Sequence, residues 1–353
     1  MEISIFGPSL SSAHESGWAA YWRGLTAALA ERGHRAIYYE PFVDERHDPS
    51  DVGSAAVRVV RYSTEGEEGV WRAVEASRRS DLIVKASRVG FFDELLEYAI
   101  LLGRGPSSRV AFWDLDVPVT SERLKANPAE PLAALVGRFD FVVTCGGGEQ
   151  VLADYHALGA RTCAAIHPAI DPRSCRPANR DPRFASDLAF HGNRRPDGEK
   201  RVDEFFFGAA GLLSRHRFLL AGAGWDKRGV PANVSMIGHL TSTERNAFNS
   251  SARAVLDVSG EAGAQAAFTP STRLFEAAGA GACAITDGWE GVDQFFEPGR
   301  EVLVAHDGRE VAALVRDLDT RRAREVGAAA RARVLAEHTY EHRAAELERI
   351  MSS

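Results

Sequence analysis

The strongest constraint on this chain is an alternation of apolar runs and helical stretches that occurs twice. In the first half, strand-like runs fall at 3–6, 36–39, 57–62, 82–85, 110–113 and 139–144. Helix-like stretches lie between and after them, at 18–32, 70–78, 92–102, 122–136 and 149–158. In the first of these, Trp18, Trp22, Leu25 and Leu29 form one stripe at the 3.6-residue period. Gly33 follows at the position of a left-handed cap. Runs that are apolar throughout and separated by helices indicate parallel sheets covered on both faces. The second half repeats the pattern, with strand-like runs at 188–191, 218–221, 234–237, 254–258, 282–286 and 302–305. Its helical stretches are 200–214, 243–250, 272–280 and 310–318, then an Arg/Ala-rich segment to Glu337 and a last amphipathic helix at 340–351.

Between the halves, Pro168, Pro172, Pro177 and Pro182 interrupt a segment without periodicity, so 167–187 is the expected joint. A chain of 353 residues is long enough for two cores of ordinary size. The expected architecture is α/β: an N-terminal Rossmann-like domain at 1–170, a C-terminal one at 171–336, and a closing helix at 337–353. Ligands of open parallel sheets bind beyond the carboxyl ends of the strands, so a cleft between the two domains is the expected site.

Composition sets further limits. Hydrophobic residues are 45% and charged ones 26% of the chain, which excludes wholesale disorder. The net charge of −7 argues against a dedicated nucleic-acid binder. The four cysteines (Cys145, Cys163, Cys175, Cys283) lack metal-ligand spacing and read as small core residues. No metal site is expected. No signal-peptide pattern and no apolar run of membrane-spanning length is present, so a cytoplasmic location is expected.

Three glycine-bearing loops carry the chemistry. The first strand runs into FGPSLSSAHESG, a strand-to-helix turn containing His14 and Glu15. It matches neither a dinucleotide fingerprint nor a Walker A loop, which counts against a dinucleotide-dependent oxidoreductase. The second loop, FHGNRRPDGEK, places Gly192 at a strand end, followed by Arg194, Arg195, Lys200 and Arg201. Guanidinium groups fork onto phosphate oxygens, and a lysine adds a point charge. The third, FTPSTRLFEAAGAGACAITD, sets Ser271 and Thr272 at a helix start, Arg273 and Glu276 on the helix, and Gly279 and Gly281 before the next strand. Hydroxyls and free N–H groups at a helix N-terminus suit a diphosphate. The competing reading is a capped helix with an Arg–Glu pair along it.

From about residue 188 to 305 the sequence resembles the C-terminal domain of GT-B glycosyltransferases of the group 1 type, and within them the CgeB-like (spore maturation) branch. The resemblance rests on FHGNRRPDGEKRVDEFF, LLAGAGW, VSMIGHL and STRLFEAAGAGACAITDGWEGVDQFFEPGREVLV. It extends more loosely to LTAALAERGHRA in the first half and to TYEHRA in the last helix, which implies that this helix crosses back onto the N-terminal domain.

The resemblance implies a transferase moving a sugar from a nucleotide-diphosphate sugar, UDP-, dTDP- or GDP-linked, to a small-molecule or glycan acceptor, with no permanently bound cofactor. It implies that Glu276 holds the ribose and that Ser271, Thr272 and Arg273 meet the diphosphate. Arg194 or Arg195, with Lys200, would neutralise the same group, while Gly238 and His239 flank the base and Trp225 adds an aromatic. Many members carry glutamates spaced E-x7-E; here Phe268 stands in place of the first. Acidic or basic groups on the acceptor side are His14, Glu15, Asp114 and Asp116, the last two in FWDLDVPVT, and the proton transfer stays unassigned among them. A nucleotide-sugar epimerase or hydrolase of the same shape, and a non-catalytic nucleotide-sugar binder, are the competing functions.

Overall fold

The computed structural model describes residues 1–10, 17–42, 57–127, 129–194, 199–226, 229–260, 268 and 270–352. The chain divides into two compact units, Met1–His167 with Tyr340–Ser353, and Pro168–Thr339.

The first unit contains β1 (Glu2–Phe6), β2 (Arg35–Phe42), β3 (Val57–Ser63), β4 (Leu82–Ala86), β5 (Arg109–Asp114), β6 (Phe141–Thr144) and β7 (Cys163–Ala165). They form one parallel sheet in the order β3-β2-β1-β4-β5-β6-β7. The second unit contains β8 (Leu188–His191), β9 (Phe218–Ala221), β10 (Val234–Ile237), β11 (Ala254–Asp257), β12 (Ala284–Asp287) and β13 (Leu303–Ala305). Their order is β10-β9-β8-β11-β12-β13, again parallel. Both sheets have the doubly wound order, reversing between β1 and β4 and between β8 and β11.

The reason the strands read as unbroken apolar runs is plain in the second sheet. Leu188, Phe190, Leu220, Leu256 and Ile285 enter the core on one face. Ala189, Leu219, Val255 and Ala284 alternate with them into the core on the other.

Three local readings change. The helix expected over 122–136 is two, Val117–Ala126 and Pro131–Leu135. Pro118 occupies the first turn of the former, where its missing N–H costs nothing. The helix over 200–214 widens by a residue per turn at Asp203–Gly208. The proline-rich stretch is not a slack connection. It belongs to the second unit and is tied down by Ala178 N donating to Ser250 Oγ (3.1 Å), Asp181 N to Ser251 Oγ (2.8 Å) and Asn246 Nδ2 to the Ser174 carbonyl (2.6 Å).

The C-terminal helix Tyr340–Ser352 lies in the first unit against the helix Gly17–Glu31. Gly24 makes the contact possible, since a Cβ there would stand 2.1 Å from the Tyr340 ring. Glu348 fixes the far end, accepting from Arg32 at 2.5 Å and facing His34 Nε2 at 2.8 Å. Among the described residues no helix is long and apolar enough to cross a membrane.

Candidate functional site

At the carboxyl edge of the second sheet, Arg273 joins the two strands between which the order reverses. It stands in the first turn of the helix Thr272–Gly279. Its Nη1 donates to the His191 carbonyl (3.2 Å), its Nη2 to the Val258 carbonyl (3.2 Å), and its Nε meets Asp257 Oδ1 at 3.0 Å. Its guanidinium also lies over the Phe190 ring, 5.7 Å from the centroid. Gly192 has to be a glycine for this, because a Cβ would approach Nη1 to 2.8 Å. Ser271 caps the helix by accepting from Arg273 N (3.2 Å) and donates to Asp257 Oδ1 (3.1 Å).

The remaining edge loops converge on Gly192. Trp225 Nε1 donates to the Gly192 carbonyl at 2.7 Å, and its ring packs edge-on against Phe190. Gly222 N donates to the Ile237 and Gly238 carbonyls. Gly222 has φ of 146°, and a Cβ there would lie 2.2 Å from the Gly192 oxygen, so only glycine lets the β8 and β9 loops close. Gly192, Trp225, Gly238, Ser271 and Arg273 are thus brought to one edge, with His239 exposed beside Gly238 and Thr272 opening the helix.

Glu276 lies one turn along that helix. It does not pair with Arg273 along the helix; its partner is Arg245, at 3.5 Å. Burial pushes its carboxyl above the ordinary range, against the pull of Arg245 and Arg273. His191, at the end of β8, is held neutral: burial, with Arg273 and His239 nearby, lowers it to about 4.

The cationic loop after β8 is less free than its sequence implies. Arg194 pairs with Glu199. Arg201 turns back to Asp287 at 2.7 Å and to the Ser259 carbonyl at 3.0 Å, and its guanidinium covers Phe205. Lys200 is exposed, and Arg195 lies outside the described residues. Sequence reading missed Asp257, Arg245 and His191. The available signal was an acid closing an apolar strand, seen at Asp257 and again at Asp287. Phe268 is buried, packing on Trp289 and Phe295, so the position of the first family glutamate belongs to the core.

In the first unit His14 and Glu15 fall outside the described residues. The first residues after β1 are pinned, with Leu10 N donating to buried Glu40 (2.6 Å) and Tyr38 Oη to the Pro8 carbonyl (2.8 Å). Asp114 requires a correction. It is fully buried and accepts from Ser87 Oγ (3.0 Å), Thr120 Oγ1 (2.7 Å), Tyr155 Oη (2.7 Å) and Asp116 N (3.2 Å). Its two oxygens are taken up by these four donors, so it ties the ends of β4 and β5 together, and burial raises its pKa. Asp116 is partly exposed and pairs with Arg88 at 2.7 Å. Arg88 follows β4 with φ of 60°, an αL conformation that a side chain pays for and that concentrates at functional edges.

Residues 194–349 match the family model described as glycosyl transferase-like. No curated protein matches significantly in sequence. In structure the chain is similar to a sucrose-phosphate synthase (tll1590) from Thermosynechococcus elongatus, at 16% identity and a TM-score of 0.75, over 100% of this chain and 98% of that one. It is similar to Anabaena Alr3699/HepE in complex with UDP-glucose, at 14% identity and 0.72, over 100% and 99%. An alpha-glucosyltransferase in complex with UDP and a 13-mer DNA gives 12% and 0.70, over 100% of both chains. The fold is therefore that of GT-B glycosyltransferases.

Proposed function

We propose that the chain transfers a sugar from a nucleoside-diphosphate sugar to the hydroxyl of a small-molecule or glycan acceptor. The second unit holds the donor and the first holds the acceptor. In the reaction the bond from sugar C1 to the diphosphate breaks and its electron pair leaves with the nucleotide. A bond from C1 to the acceptor oxygen forms, and the acceptor proton passes to a base.

One observation carries the reading: Arg273, Ser271 and Thr272 open a helix at the switch point of the second sheet, with Glu276 one turn along. A helix start and a guanidinium stabilise the departing diphosphate without requiring a resident metal. Glu276 is the ribose ligand, and Gly238 and His239 flank the base. Asp116 is the acid of the acceptor edge, since Asp114 is sealed. UDP is the favoured leaving group, because HepE is described in complex with UDP-glucose and the alpha-glucosyltransferase in complex with UDP. The motifs of the second unit favour the CgeB-like branch, acting in the cytoplasm.

Phe268 favours a second reading, a nucleotide-sugar binder without turnover, because a buried aromatic occupies the first glutamate position. A thermal-shift screen against UDP, GDP, dTDP and their sugars tests the primary reading. A ligand that binds only the native state raises the midpoint, so at least one of them should do so. Donor consumption with an acceptor panel then separates transferase from binder.

A further inference from the structure

The second unit has a cavity of about 580 Å³ at the edge of its sheet opposite the donor edge. Asp187, Arg217 and Arg253 line it, and each immediately precedes a strand: β8, β9 and β11. Arg180 enters from the proline-rich segment, and Arg324 and Arg331 from the helix Thr320–Glu337. Arg324, Ala328 and Arg331 are spaced to share one helix face. Gly327 brings that helix down onto the sheet, since a Cβ there would lie 2.2 Å from the Gly281 oxygen.

The wall carries five guanidinium groups and one carboxylate. The carboxylate is already used: Asp187 pairs with Arg253 at 3.0 Å and accepts from Arg217 N at 2.7 Å. Among the described residues, the side chains of Arg180, Arg217, Arg324 and Arg331 form no ion pair. The Nε atoms of Arg253 and Arg331 are buried without a hydrogen-bond partner. In a chain of net charge −7, four unmatched guanidinium groups around one hollow create a local field of the opposite sign. Their forks match phosphate oxygens, and the volume suits a small ligand.

We propose that this cavity is a second anion site, which takes a small compound bearing at least two phosphoryl groups. The proposal is independent of the donor reading, because the two edges lie at opposite ends of the same strands.

The test is calorimetric titration of the full chain with inorganic pyrophosphate. Pyrophosphate should bind, and the R324A/R331A double variant should weaken it at least tenfold while UDP affinity stays unchanged. R180A/R217A, which alters only loop and strand-entry positions, should give a comparable loss and guards against misfolding of the helix variant. The proposal is overturned if pyrophosphate fails to bind at millimolar concentration, or if neither double variant weakens it. Failure of UDP to bind would instead count against the donor reading, and the variants would still report on the cavity.

Discussion

The Arg273 guanidinium meets buried Asp257 at 3.0 Å while donating to the carbonyls that close β8 and β11. One side chain therefore neutralises an acid at the base of the edge and joins the two strands where a ligand would enter. Arg273→Ala leaves Asp257 buried without its cation, which should cost about 3 kcal/mol in urea unfolding. The R273A/D257N double variant should lose less than R273A alone, because the stranded charge is gone. Additive losses would show that the pair is not coupled. R273A should also weaken nucleoside diphosphate binding far more than nucleoside binding.

Asp114 and Asp116 are two residues apart, but Asp114 is buried and Asp116 is partly exposed. Asp114→Asn should destabilise the first unit by about 2 kcal/mol, because it upsets three buried hydroxyl donors. Asp116→Asn should leave stability and donor affinity nearly unchanged and lower turnover at least a hundredfold. If D116N turned over normally, the base would have to be sought elsewhere on the acceptor edge.

Mild acid should weaken both units through two histidines. Burial lowers His167 and His191 from 6.5 to about 4. Between those values the unfolded chain holds protons that the native chain excludes. The stability is therefore fully present above about pH 6.5 and is lost as pH falls toward 4, up to about 3 kcal/mol per group. Unfolding free energies at a series of pH values should fall through that window, and H167Q and H191Q should each flatten the slope. A wild-type profile that is flat from pH 7 to 4.5 would contradict both assignments.

Gly327→Ala would add a methyl group 2.2 Å from the Gly281 carbonyl oxygen, so the helix Thr320–Glu337 must shift. A loss of about 1–3 kcal/mol is expected despite the better helix propensity of alanine. A gain in the unfolding midpoint would mean that the helix does not seat as described.

Much of this architecture was legible in the sequence because both faces of each sheet are buried. Continuous apolar runs then mark strands directly, and their spacing by helices marks parallel order. The three-residue strand Cys163–Ala165 was too short to stand out. The break between Ala126 and Pro131 had its signal in Asn127, Pro128 and Pro131, which a helix read over 122–136 passes over. At the site, the helix carrying Ser271, Arg273 and Glu276 was legible from its cap and its glycines. The partners were not. Asp257 for Arg273, Arg245 for Glu276 and Asp287 for Arg201 come from strands and helices distant in sequence, and periodicity carries no information about them. Asp114 misled for the same reason, since its burial depends on Ser87, Thr120 and Tyr155.

The central claim is that the carboxyl edge of the second unit holds the nucleoside diphosphate of a sugar donor. Calorimetric titration of the full chain with UDP, GDP and dTDP, repeated on Glu276→Ala, addresses it most directly. The account predicts that one of the three binds with a stoichiometry of one and that E276A weakens it at least tenfold without unfolding the chain. Absence of binding by all three, or an affinity unchanged by E276A, would contradict it.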